Sequence, residues 1–467
     1  MQRLRTLVAV VAALIAVSWS FVAIVVSLAV RGRFFVLAQL LRDRHESLLE
    51  TRAELARARG EAEVAIDNPL EQRNQLWNVA FKTADRALEV NAFAQADGIE
   101  DAQARVLGID PLHQRLIGQS ITGAIGHTAL GLAIRARMIE LGENPVEAYC
   151  LLTGGAANVD FLSFWSRYFP VVQTTASATR SLENALWPLM ESFYSVRTLQ
   201  GSMDYIKAHN HYSKLWEAQG RGPLLELTAA DHQRGVRLLA GFGLGPGDWF
   251  VAMHLRENRL NQPGYGRNVE VKSYLLAAQR VIDAGGFVIR IGNRTATPLP
   301  KMAGLVDYAH ASDPDPWMDI YAIAAARFMI GTTSGPLNIA PNFGVPVLST
   351  NTPEIAKAVY YPRSLCLPKL IAHGEEAPMS LAQMLDSPFA WTDAYIGEIV
   401  DQRGRNGYQW VENSPEELAA AVDEMLQDWP PEESEGQRSW RMLVEAAGSN
   451  GTARIAQSFI DRHPGLV

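Results

Sequence analysis

Three short segments set cations or small hydroxyl residues directly after apolar runs, where a β-strand would end. The first is His254-Leu255-Arg256-Glu257-Asn258-Arg259. Alternation along a strand puts His254 and Arg256 on one side. An imidazole and a guanidinium aimed at one spot suit an anion, because arginine grips phosphate with two parallel hydrogen bonds and stays charged at any working pH. The alternative is a charged strand end facing solvent. The second segment, Arg290-Ile291-Gly292-Asn293-Arg294, again ends an apolar strand with a cation; it fits either a phosphate contact or a structural salt bridge. The third is Gly331-Thr332-Thr333-Ser334-Gly335-Pro336. Hydroxyls and backbone N–H groups at a strand-to-helix turn can cradle phosphate. Without a following lysine this is not a P-loop, and a tight packing turn is the competing reading.

A fourth segment, Gly123-Ala124-Ile125-Gly126-His127, opens a helix. Gly126 permits close approach of a ligand to the backbone. His127 is either a general base or a polar first-turn residue. Asp313-Pro314-Asp315 resembles a two-carboxylate metal motif, but its inner proline and the helix expected from Pro316 make it an acidic turn. No metal site is expected.

The elements that must carry these segments alternate between strand and helix. Ile117–Thr122 is expected as a strand, followed by a helix over Thr128–Leu141 that Gly142 stops, then a strand over Ala148–Thr153. Beyond the turn at Gly245-Pro246-Gly247-Asp248, strands are expected at Trp249–Leu255, Phe287–Ile291, Arg327–Ile330 and Val345–Leu348. Helices are expected at Val271–Ala284, Pro316–Ala326 and Leu337–Phe343, with a Ser414-capped helix after them. The sheet should be mostly parallel, with the candidate loops at its carboxyl edge, where open α/β sheets bind ligands.

Ahead of this body the chain differs. Thr6 to Val30 carries no charge and as a helix would span about 37 Å, enough for a hydrocarbon core of about 30 Å. It reads as an uncleaved anchor. Arg31, Arg33, Arg42 and Arg44 outnumber Arg3 and Arg5, which favours a cytoplasmic body by a small margin. Leu41, Leu48 and Leu55 recur at heptad spacing in a helical stalk, which leaves room for a homodimer contact. Two helical stretches, Pro69–Val90 and Phe93–Leu107, read as a hairpin packed on the body. The expected organisation is an anchor over 1–33, stalk and hairpin over 34–115, and Rossmann-like domains over 116–244 and 245–467. The whole chain has 467 residues and a formal charge of −8, from 50 acidic and 42 basic residues, so no basic surplus points to nucleic acid. Its 2 cysteines form no disulfide or metal framework.

The run from Asp248 to Asn351 resembles a family of bacterial glycosyltransferases and, more distantly, the fucosyltransferase branch of the GT-B fold. The likeness rests on HLREN at His254–Asn258, RIGN at Arg290–Asn293, MDIYAIAAARFMIGTTSGP at Met318–Pro336 and ITGAIGH at Ile121–His127. It covers about Leu116 to Asp428, although Glu-Asn-Arg follows His254-x-Arg256 where many fucosyltransferases have a basic and acidic pair. The resemblance implies two doubly wound Rossmann-like domains, the first on the acceptor side and the second holding a nucleoside-diphosphate sugar. It implies inverting transfer to a glycan, lipid-linked or other hydroxyl acceptor in surface polysaccharide or glycoconjugate synthesis. No cofactor other than the donor substrate is expected. Arg256 with His254, and Arg290, would face the leaving diphosphate; Thr333, Ser334, Gly335 and Gly126 would bind phosphate; His127 or Glu257 would take the acceptor proton. With the anchor, this implies a single-pass protein of the inner membrane. A nucleotide-sugar epimerase and a non-catalytic membrane scaffold are the alternatives.

Overall fold

A computed structural model describes residues 69–80, 86–257, 266–294, 296–353, 355, 361–386, 400, 407–427, 432–446 and 453–467. The expected anchor and stalk, and Asn258 and Arg259, lie outside these residues. Among the described residues no helix is long and apolar enough to cross a membrane. The chain forms two compact units. The first takes in residues up to Thr128 together with Ile139–Tyr205; the second takes in Ala129–Met138 and Ile206–Val467.

In the first unit, a helix over residues 69–80 precedes α1 (Arg86–Val106). α1 runs unbroken through residues 90–93, where two separate helices were expected. Glu100, near the middle of α1, has a side chain only 4% exposed. Its carboxylate meets Arg73 at 3.1 Å, Arg115 at 3.1 Å and Arg197 at 2.9 Å. Three guanidinium partners replace the hydration that burial removes, so losing one would leave charge uncompensated. This cluster pins the helical hairpin to β1 (Gln114–Ile117), which carries Arg115. After α2 (Ile125–Leu141) come β2 (Ala148–Leu152) and β3 (Val171–Val172). The three strands pair in parallel in the order β1-β2-β3. The strand expected at Ile117–Thr122 is corrected: β1 ends at Ile117, Gly118 is extended, and Gln119–Thr122 is a helical turn. The Thr122 hydroxyl donates back to the Gly118 carbonyl, a local bond that competes with strand pairing. Among the described residues this unit has a three-stranded parallel sheet, and a parallel bridge from Leu116 to Met190 adds to β1.

The second unit carries the larger sheet. Its elements are α3 (Ala229–Ala240), β4 (Phe250–His254), α4 (Leu275–Asp283), β5 (Phe287–Arg290), β6 (Leu305–Asp307), α5 (Pro316–Ala324), β7 (Met329–Thr332), β8 (Val347–Thr352), β9 (Leu365–Pro368), α6 (Pro415–Leu426) and β10 (Arg454–Ile455). The seven strands are all parallel, in the order β10-β9-β8-β7-β4-β5-β6. The chain therefore builds outward from β4 to β6, returns to lay β7 against the other side of β4, and builds outward again. The central strands are buried on both faces, which accounts for near-continuous apolar runs such as Phe250–Met253. Val251, Met253, Val288, Ile330 and Leu348 form the core with Ala277 and Val281 of α4 and Leu418 and Val422 of α6. Each large side chain buried there contributes about 1.5–3 kcal/mol. Local signals set the helix starts. Ser414 and Glu417 satisfy each other's backbone N–H groups at the start of α6, with Pro415 at its first position. Thr228 and Asp231 do the same for α3.

The helix expected at Leu337–Phe343 is corrected too. Pro336–Asn338 and Ala340–Phe343 are two 3-10 turns. Pro336 and Pro341 lack the N–H groups that a continuous α-helix needs.

Candidate functional site

The gap between β4 and β7 is the topological switch point of the second unit, because the chain leaves β4 in opposite directions on its two sides. Ligands of open α/β sheets bind just outside the carboxyl ends of strands at such a point. His254 is the last residue of β4, and Gly331-Thr332 end β7. Strand register sets His254 beside Gly331. From there the two candidate loops are joined twice. His254 Nδ1 lies 3.0 Å from the Ser334 hydroxyl, and the Arg256 backbone N–H donates to the Thr332 hydroxyl at 3.0 Å. The first and third segments thus come together, though they are nearly eighty residues apart.

Gly331 makes this approach possible. A Cβ there would stand 2.7 Å from Leu337 Cδ1 and 2.9 Å from the His254 carbonyl oxygen. The Thr350 hydroxyl of β8 donates to the Gly331 carbonyl at 3.1 Å and fixes the loop from the other side. Above this framework the Arg256 side chain is exposed, and Thr333, Ser334 and Gly335 are half-buried. A guanidinium, hydroxyls and small-residue backbone share one strand edge, and all are groups that bind phosphate oxygens.

Arg290 behaves differently. Its side chain is 1% exposed and is engaged internally. It pairs with Glu257 at 2.6 Å and Asp307 at 3.0 Å, and it donates to the Thr297 carbonyl at 3.0 Å. These contacts fit the salt-bridge reading of the RIGN segment. Glu257 is tied at both oxygens, since its second oxygen accepts the Thr297 N–H at 2.9 Å. The pair anchors the segment that carries Arg256. Asp315 is likewise structural: it caps α5 at Trp317 N–H and pairs with Arg234. Among the described residues no group of His, Cys, Asp and Glu could hold a metal ion.

His127 stands in the first turn of α2, in the first unit, with Gly126 buried beside it. Its Nδ1 is 3.2 Å from the Ser120 carbonyl. The ring stacks on Phe193, with centroids 3.6 Å apart and planes within 6°. Burial holds its pKa below the ordinary histidine value, against an opposing pull from the Ser120 carbonyl. The imidazole is therefore neutral near pH 7, the state a base must start from.

No protein-family model matches this chain, and no curated protein matches it. Several solved structures are similar to it at low identity. The E. coli ADP-heptose LPS heptosyltransferase II matches with a TM-score of 0.40 and 11% identity, over 67% of this chain and 98% of that one. A glycosyl transferase family 9 protein from Veillonella parvula DSM 2008 matches with a TM-score of 0.40 and 10% identity, over 68% and 98%. The iron-containing dodecameric glycosyltransferase TibC from enterotoxigenic E. coli H10407 matches with a TM-score of 0.33 and 15% identity, over 56% and 63%. Likenesses this slight do not say what the chain does.

Other residues of the site had no signal in the sequence. Thr332 was one hydroxyl among several until its bond to Arg256 N–H singled it out. Lys369, the residue after β9, is buried and gives all three donors to Gly266 O, Asn268 O and Glu412. Burial lowers its pKa, and the Glu412 carboxylate opposes that. It borders a cavity of about 610 Å³ on the carboxyl side of the sheet, also lined by Glu257, Thr297, Trp410 and Glu412. Only the turn of the sheet brings these residues together.

Proposed function

We propose that this chain is a glycosyltransferase that moves a sugar from a nucleoside-diphosphate donor to an acceptor hydroxyl, with inversion and without a metal ion. The observation that carries the reading is the joining of His254 to Ser334 across the β4/β7 switch point, with Arg256 projecting from the same edge. The motif resemblance of Asp248–Asn351 agrees with it, and the neighbouring cavity has the volume of an ordinary small-ligand site.

In this reading the bond from the sugar anomeric carbon to the diphosphate oxygen breaks, and its electron pair stays with the diphosphate. Negative charge grows there, and preplaced donors stabilise it without reorganising. Arg256 supplies the cation; the Ser334 and Thr333 hydroxyls and the Gly335 backbone supply neutral contacts. His254 holds Ser334 in place. The acceptor oxygen forms the new bond on the opposite face of the sugar, and its proton passes to a general base, the role that the motif resemblance gives to His127. Attachment to the inner membrane through residues 6–30 and a role in surface glycoconjugate synthesis complete the proposal on sequence grounds.

The test is an assay of the full-length protein in detergent with ADP-, GDP- and UDP-sugars, with and without glycan or lipid-linked acceptors. Nucleoside diphosphate released only with acceptor, and lost in Arg256→Ala, is the expected result. A changed nucleotide sugar formed without acceptor would make the protein an epimerase. No nucleotide binding at all would leave the scaffold reading.

A further inference from the structure

Ser120 touches two neighbours with two different groups. Its carbonyl oxygen lies 3.2 Å from His127 Nδ1, and its hydroxyl accepts the Phe193 backbone N–H at 3.1 Å. Phe193, which is 2% exposed, lies flat against the imidazole. Tyr205 backs Phe193 with ring centroids 4.2 Å apart, and Tyr194 meets the imidazole edge-on at 5.9 Å. The imidazole is thus held on one face by a ring and at one nitrogen by a carbonyl, and both holders are fixed to each other through a single serine.

A carbonyl oxygen can only accept, so this hydrogen bond requires the proton on Nδ1. The lone pair of the neutral ring then sits on Nε2, which has no hydrogen-bond partner among the described residues. The position adds to this preference, because a cation in the first turn of a helix meets the positive end of the helix dipole. The titratable groups facing the ring are the phenols of Tyr194 and, behind Phe193, Tyr205. Among the described residues no charged side chain is paired with it.

We propose that Ser120 and Phe193 are positioning residues: the Ser120 carbonyl fixes His127 in its Nδ1–H tautomer, and burial against Phe193 keeps the imidazole uncharged, with Nε2 presented for a hydroxyl proton. This deepens the reading of His127 as the proton acceptor and rests on it for the identity of the proton. Serine suits the task because one small residue gives both an acceptor carbonyl and an acceptor hydroxyl. Phenylalanine suits it because the ring excludes water from one imidazole face and offers no counter-charge to an imidazolium.

The experiment is nitrogen NMR of the full-length protein with labelled histidine, the His127 signals being assigned with His127→Gln. The expected result is a protonated Nδ1 and bare Nε2 at neutral pH, with a midpoint below about 6.5. Ser120→Ala, which frees the carbonyl to shift, should lower the share of the Nδ1–H tautomer and Ser120→Thr should restore it, while Phe193→Leu, which keeps most of the volume, should move the midpoint up toward about 6.5. In the transferase assay the acidic limb of kcat/KM should move to higher pH by the same amount, with KM for the donor unchanged. A wild-type ring protonated on Nε2, a tautomer unmoved in Ser120→Ala, or a midpoint unmoved in Phe193→Leu would overturn the clamp. A wild-type ring that titrates as expected in a protein without transferase activity would overturn the proposed function and leave the clamp standing.

Discussion

His254 Nδ1 and the Ser334 hydroxyl lie 3.0 Å apart, and that contact spans the place in the larger sheet where the chain reverses its winding. His254 ends one apolar strand and Ser334 lies two residues beyond the end of another, and together they fix where Arg256 leaves the sheet. The roles of neighbouring residues can be separated by experiment because burial sorts them clearly.

Arg256→Ala should abolish turnover and spare the fold. The side chain is exposed, so its loss opens no cavity. Removing one charge-stabilising donor typically costs about 10²–10³ in kcat. Turnover and a thermal melt on the same preparation check both parts; a variant of wild-type activity would remove Arg256 from the site.

Arg290→Met should do the reverse and act first on stability. It leaves Glu257 and Asp307 without their cation, and breaking a buried pair from one side costs about 3–5 kcal/mol. Urea unfolding should show the loss directly. Donor affinity measured well below the unfolding midpoint should change far less than in Arg256→Ala.

Gly331→Ala should damage both properties, since the added methyl meets Leu337 and the His254 carbonyl. Overpacking of this kind costs about 1–3 kcal/mol. The strain falls on the His254 backbone, so donor binding should weaken along with the melting temperature. A variant that matches wild type in both would show that the loop has room to shift.

Asp319 gives a pH signature. Burial, with the neighbouring Asp315 charge, raises its pKa from the ordinary carboxylate range to about 7. Among the described residues its Oδ1 has no hydrogen-bond partner. A carboxyl whose folded pKa is raised favours the folded state fully at low pH, and that contribution is lost as pH rises through about 7. Asp319→Asn should therefore stabilise the protein at pH 8 by roughly 1–3 kcal/mol and change little near pH 4. Urea titrations at the two pH values decide it; equal effects at both would place the carboxylate in water.

Much of the larger sheet was legible because buried parallel strands are continuous apolar runs and because Ser414 announces a helix start. The candidate loops were legible for the same reason, as abrupt polarity after an apolar stretch. Partnership was not legible. Arg290 and Arg256 look alike in sequence, each a cation at a strand end, and only the positions of Asp307 and Glu257 separate them. Asp307 ends a three-residue strand too short to show a pattern. In the first unit, Ile117 to Thr122 looked like a strand by composition, but Gly118 and the Thr122 hydroxyl bend it into a turn. The stacking of Phe193 on His127 joins residues more than sixty positions apart and leaves no local trace.

The adjacency of β4 and β7 also has a consequence during synthesis. A ribosome releases β4, then two further strands and their helices, before the strand that supplies Ser334 emerges. A nascent chain that has exposed only residues up to 300 holds Arg256 but not Thr332, Thr333 or Ser334, so it lacks most of the proposed phosphate contacts. Competence is gained late and in one step, when β7 inserts beside β4. Truncated translation products should consequently be inert toward the donor and should not compete for it.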